Sequence, residues 1–276
     1  MRRIVPALLV LVLCSALPVA GQGILNPTIS GNTVSLEVSL GGIGIDVTLT
    51  FEQVTGLSLE NLGLSAHLVN PLSPAFRARL PNGVLVALPV ILRIEPPANG
   101  SLSFTGVTEI DIHTHNINFY LNTPVRFFSA PVGGPFEDVT AAMGSGSYRA
   151  RATKGGFSDF LIVLDLRSLN TVVNSKFDRL EDLLDGYHGS MPGSVYYDLE
   201  ERLEDARIAW MFGNKQAAIA EIDGFLEVVE EHSGTDIPNV WRAARDVENA
   251  AGYLRGAALT LRFSLGLKGG LLSLGL

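Results

Sequence analysis

Near residue 168 the spacing of apolar residues changes from every second position to every third or fourth. The two periods belong to different elements. Alternation puts one face of a strand into a core, and a 3.6-residue period puts one stripe of a helix there. A chain that switches once predicts two unlike parts in series. We read residues 22–167 as an antiparallel β-sandwich or barrel and residues 168–263 as an all-α bundle of about four helices, an α+β chain.

In the first part Val34, Leu36, Val38 and Leu40 alternate with Ser35, Glu37 and Ser39, and Ile45, Val47, Leu49 and Phe51 alternate with Asp46, Thr48 and Thr50. Gly41-Gly42-Ile43-Gly44 between them reads as a hairpin connection. Further strand-like runs are Val84–Ile94, Leu102–Phe104, Val107–His115, Ile117–Leu121, Tyr148–Ala152 and Phe160–Leu166, separated by Pro/Gly/Asn turns. Pro89 cannot donate to a ladder, which predicts an edge strand or a broken one. Ser58–Leu68 fits either a strand or a short helix.

In the second part Val173, Phe177, Leu180 and Leu184 step by 4, 3 and 4, as do Leu199, Leu203, Ala206 and Trp210, and Ala218, Ile222, Phe225 and Val229. Gly186, Pro192, Gly213-Asn214 and Gly234 punctuate these stretches. The longest seam is Val240, Ala244, Val247, Ala251, Leu254, Ala258 and Leu261. It predicts one continuous helix, capped by Thr235 or Asp236 with Pro238 in its start, packed closely against another helix. Residues 264–276 form a Gly/Leu tail that reads as a short hairpin, a disordered end or a strand donated to the β part or to a partner.

Residues 22–167 carry 11 acidic and 8 basic side chains, and residues 168–263 carry 17 and 9. The whole chain has a net charge of −8. That charge excludes a nucleic-acid binder held by electrostatics. Arg2 and Arg3 followed by the apolar run Ile4–Leu17 and the small residues Val19-Ala20-Gly21 read as a signal peptide over residues 1–21, cleaved before Gln22. The lone Cys14 would leave with it, so the mature chain would have no disulfide, and no later run of 18 apolar residues would anchor it in a membrane. A periplasmic or secreted address is expected.

The stretch Leu199, Leu203, Ala206, Gly213-Asn214, Ala217-Ala218, Ile222, Phe225-Leu226, Val229 and Gly234 resembles the FIMAH module, a small helical unit of bacterial secreted proteins. The pattern centres on the Gly-Asn turn joining two helices. It covers about forty residues, and Gly224 stands where Ala is expected. The resemblance implies an accessory, non-catalytic module and carries no functional residues to transfer. The β part resembles no family we recognise.

The sequence contains no Gly-x-Ser-x-Gly elbow, Walker A loop, His-Glu-x-x-His pair or EF-hand loop. No catalytic, cofactor-binding or metal-ligating residue is assigned, and no cofactor is expected. One constellation bears chemistry. Glu109, Asp111, His113 and His115 occupy every second position, so on a strand all four share a face. The ordinary reading is the polar face of an amphipathic strand. The alternative is a metal site on Asp111, His113 and His115 that needs a further ligand from elsewhere in the chain. His67, His188 and His232 read as surface or capping residues. Arg77 and Arg79 read as exposed loop charges or as a clamp for an acidic ligand. Trp210, Tyr196, Tyr197 and Trp241 read as helix packing or as a sugar-binding aromatic surface. The sequence therefore predicts an exported, non-enzymatic binding or structural protein with a protein or cell-envelope partner. Its alternatives are a metal-dependent hydrolase on Asp111/His113/His115 and a surface-assembly subunit that donates its tail.

Overall fold

The computed structural model describes residues 23–120 and 122–267. The signal-peptide reading, and the tail reading from residue 268 onward, lie outside the described residues. The chain is a mixed α/β protein with two antiparallel sheets and six helices, mostly strands first and helices after.

The first sheet begins with β1 (Ile24–Ser30), β2 (Thr33–Leu40) and β3 (Ile43–Thr55). Leu40 pairs with Ile43 across Gly41 and Gly42, both at positive φ. That two-residue connection is the tight hairpin that glycine permits. Next to β3 lies β6 (Ser103–Asn118), then β10 (Ser147–Lys154) and the short β9 (Ala142–Gly144). The three runs read separately in the sequence within 102–121 are mainly this one strand. Gly106 (φ 77°) and Val107 together face Glu52, so one extra residue bulges out of β6 and breaks the alternation there.

The second sheet has the order β4 (Leu64–Leu68), β5 (Val84–Ile94), β11 (Asp159–Asp165), β7 (Val125–Ala130), β8 (Glu137–Asp138). Its β5 is not an edge strand; of the two alternatives expected from Pro89 it takes the broken one. Leu88 pairs with Ile162 and Leu92 with Phe160, so two extra residues are absorbed around Pro89 and the missing donor falls in a bulge. The ambiguous segment holds both alternatives: a one-turn α1 (Leu59–Leu62) and then β4. A second one-turn helix, α2 (Pro74–Arg77), lies between β4 and β5.

Val34, Val47, Leu49, Phe51 and Ile110 of the first sheet meet Val90, Leu92, Phe127, Phe160 and Ile162 of the second in one apolar cluster. On its other face the second sheet packs Ile91, Phe128, Leu161 and Val163 against Phe76 and Phe136. Burial on both faces explains why β11 reads as a continuous apolar run.

Four helices follow: α3 (Leu169–Gly186), α4 (Gly193–Met211), α5 (Lys215–His232) and α6 (Ala250–Gly266). Ser168, Asn214 and Asn249 cap α3, α5 and α6 with their side-chain oxygens. Gly213, at φ 77°, makes the turn between α4 and α5. The helices share their own cluster around Phe177, Leu199, Ile222, Phe225, Leu254 and Leu261.

The long seam from Val240 is not one helix. Val240–Arg242 is a strand, β12, that pairs with Thr105, Phe104 and Ser103 where β10 has ended. Trp241 stacks on Phe104 with ring centroids 5.3 Å apart. Arg245 takes a positive φ, and the helix starts only after Asn249. Sheet pairing and a strong cap override an apolar spacing that fits a helix by coincidence. The small residues also serve two partners. Ala251 and Ala258 face the other helices. A Cβ on Gly155 would collide with the backbone of Gly252, and a Cβ on Gly256 with the backbone of Thr153. The helix runs on through Ser264 and Leu265, both buried, past the boundary expected at residue 263.

Candidate functional site

The outer face of the first sheet carries the His-x-His row, and the fold supplies its third member from β3. Asp46 is directly opposite His113. Asp46 Oδ2 lies 3.1 Å from His113 Nδ1 and 2.9 Å from His115 Nε2. The hydrogen bond to His115 holds the Asp46 carboxyl below its ordinary value; partial burial opposes that shift and His113 adds to it. The ligand-type atoms of Asp46, His113 and His115 all lie within 4.8 Å of one another. Asp111, the carboxylate expected from the sequence, belongs elsewhere. Arg151 Nε donates to it at 2.9 Å, and the same guanidinium sits 3.4 Å from Glu109.

The other sequence candidates disperse. Arg77 is exposed, whereas Arg79 donates to the fully buried Asp159 at 3.0 Å, as Arg93 does at 2.6 Å. Arg79 thus neutralises an internal acid and is not open for an acidic ligand. Trp241 is in the sheet core, Trp210 lies under Lys215, and the buried Tyr196 donates its hydroxyl to Asp185 at 2.7 Å. Only Tyr197 of the four is largely exposed. The histidines read as surface or capping residues hold ordinary places: His232 pairs with Asp236 and His188 packs on Tyr196.

A second site has no trace in the sequence reading. A cavity of about 380 Å³ lies where β7, β8 and the end of β10 meet α3 and α6. Phe136, Val139, Phe157, Leu183 and Ala257 give it apolar walls, and Lys154, Lys176 and Arg179 reach it as cations. Most of these charges are answered. Lys176 Nζ sits 2.8 Å from Asp138 and also donates to Thr260 and Ser264. Burial pushes the Asp138 carboxyl upward, but the charge and hydrogen bond of Lys176, with the charge of Arg126 and the Thr140 backbone N–H, together hold the group below its ordinary value. Arg179 pairs with Glu137 at 3.1 Å, and Arg167 with Asp165 at 2.7 Å.

Lys154 differs. Its ammonium donates to the Ser129 hydroxyl at 3.0 Å, and among the described residues it forms no ion pair with a carboxylate. Burial lowers its pKa from 10.5 to about 8, with Glu137 resisting and Arg179 assisting. In the sequence Lys154 is only the residue before the Gly155-Gly156 turn. Nothing in the spacing connects it to Lys176 or to Thr260.

A family described as one of unknown function, DUF6689, matches residues 8–268. The chain belongs to that family. The matched span takes in both sheets and all four long helices, so the triad and the cavity both lie inside the family's unit. No curated protein matches the chain.

Proposed function

We propose that the chain is an exported, non-enzymatic binding protein whose ligand is a small organic anion held in the cavity between the second sheet and the helices. The observation that carries this reading is Lys154, an ammonium that faces a cavity and, among the described residues, forms no ion pair with a carboxylate. Withdrawing a charge from water is costly unless a counter-charge meets it. The neighbouring cations have theirs, so the site is short by a single negative charge. Its apolar walls and volume suit a monocarboxylate with a hydrocarbon or ring body.

Export is supported by Arg2, Arg3 and the apolar run that follows them. Two antiparallel sheets sharing one apolar cluster support a β-sandwich as the scaffold. A FIMAH-like accessory character for the helices is supported by the α4–α5 pair and its Gly213-Asn214 turn. A protein or cell-envelope partner belongs to the same reading. A metal-dependent hydrolase built on Asp111 has less support, since Arg151 engages that carboxylate.

Decanoate and decanol are the discriminating probes. Calorimetric titration of purified chain should show decanoate binding and decanol binding about tenfold or more weakly. Lys154→Met should remove that preference. No decanoate binding, or the same preference in Lys154→Met, would overturn the proposal.

A further inference from the structure

We infer that Asp46, His113 and His115 form a binding site for one divalent transition-metal ion of the zinc type. Two imidazoles and a carboxylate are a donor set suited to zinc and to its first-row neighbours, and too rich in nitrogen for calcium or magnesium.

The spacing fits. Metal–ligand bonds of ~2.0–2.2 Å at tetrahedral angles place neighbouring donor atoms roughly 3.3 Å apart. Asp46 Oδ2 is already 2.9 and 3.1 Å from the two imidazole nitrogens. Small side-chain rotations would open the triad enough to admit an ion. An ion would take the place of the protons that these two nitrogens share with Asp46, each imidazole then carrying its proton on the other ring nitrogen.

The backbone beneath is preset. Asp46 and His113 sit in an unbroken ladder running from Ile45–Thr114 to Phe51–Thr108. His115 is held at the end of that ladder. Asn116 accepts from Gly44 N at 2.9 Å and donates to Gly42 O at 3.2 Å, which fastens β6 to the β2–β3 hairpin. The His115 ring packs over Gly44, 3.4 Å from where a Cβ would stand, an ordinary contact distance.

Across the sheet the row reads Glu37, Asp46, His113, Arg149, each the register partner of the next. Outside the triad that row adds one acid, Glu37, and one base, Arg149, so the carboxylate of Asp46 supplies the charge that an ion would meet. Half of the Asp46 side chain and 48% of His115 are open to solvent, so an ion held there keeps a coordination position for water or for a ligand from outside. The site lies on the outer face of the sheet and is independent of the anion cavity.

Titration of chelator-treated full chain with ZnCl₂ in a calorimeter tests this. One ion per chain is expected. Asp46→Asn and His115→Ala should each weaken binding about tenfold or more, and His113→Ala/His115→Ala should abolish it. His188→Ala and Asp111→Asn should leave it unchanged. These side chains lie on the outer surface, and circular dichroism of each variant checks that it folds. Absence of saturable one-to-one binding would overturn the site, as would unweakened binding by folded Asp46→Asn. Loss of binding in Asp111→Asn with retention in Asp46→Asn would also overturn it, by moving the ion onto β6 alone.

Discussion

Lys154 and Asp46 show how differently two functional side chains are legible. The His-x-His row was visible in the sequence because its four polar residues lie on one strand. Its carboxylate partner was not, because register decides which residue of β3 stands opposite His113. Lys154 was invisible altogether, since its character comes from what closes over it. That closure has a measurable consequence. The amine titrates near 10.5 when unfolded and about 8 when folded. The folded state therefore gives up its proton more readily than the unfolded one. The resulting destabilisation is complete below pH 8 and is relieved as pH rises from 8 toward 10.5. Lys154→Met keeps the stem and removes the charge. It should raise stability at pH 7 by at most about 3 kcal/mol. Denaturant melts of ligand-free protein should show that advantage shrinking between pH 8 and pH 10. A constant advantage across that range would mean that the amine is not penalised by burial.

At the scale of elements, the alternating strands and the first three long helices were readable because local pattern and tertiary context agree. The β2–β3 hairpin, α3, α4 and α5 all have caps or turns that match their apolar period. The fourth long helix was misread where the two signals part. From Val240 to Val247 an apolar spacing fits a helix, yet β6 offers an unpaired edge beyond the end of β10, and the chain takes it. Asn249 then becomes the junction. Its oxygen accepts from Gly252 N, and its amide donates to the carbonyls of Gly106 and Gly155, all of them buried. One side chain thus starts α6 and fixes it to two places in the sheet region. Asn249→Ala leaves two buried carbonyls without a donor as well as an uncapped helix. It should cost about 2–4 kcal/mol. Among the described residues the exposed cap Asn214 makes only its helix bond, and Asn214→Ala should cost about 1 kcal/mol. Equal losses in urea unfolding would show that Asn249 acts as a cap alone.

On the scale of the whole molecule, the change of period near residue 168 marks a change of element, whereas the packing crosses it. Trp241 and Ala243 belong to the sheet cluster although they follow three helices. Lys176 of α3 answers the buried Asp138 of β8, and Thr260 of α6 donates to Thr140 O at 3.0 Å. Arg255 pairs with Glu52, and Gly256 rests on Thr153. A chain ending at Arg167 would leave the buried Asp138 without Lys176, Phe104 without Trp241 and the end of β10 uncovered. Such a fragment should not fold, and the intact chain should unfold in one transition. The two tryptophans make this testable, because Trp241 lies in the sheet and Trp210 on α4. In Trp210→Phe the remaining fluorescence reports the sheet, while far-ultraviolet dichroism is dominated by the helices. The two signals should lose structure at the same urea concentration. Separate midpoints would mean that the sheets and helices are independent domains. The cavity would then be a hinge between them, and anion binding would lock the two together.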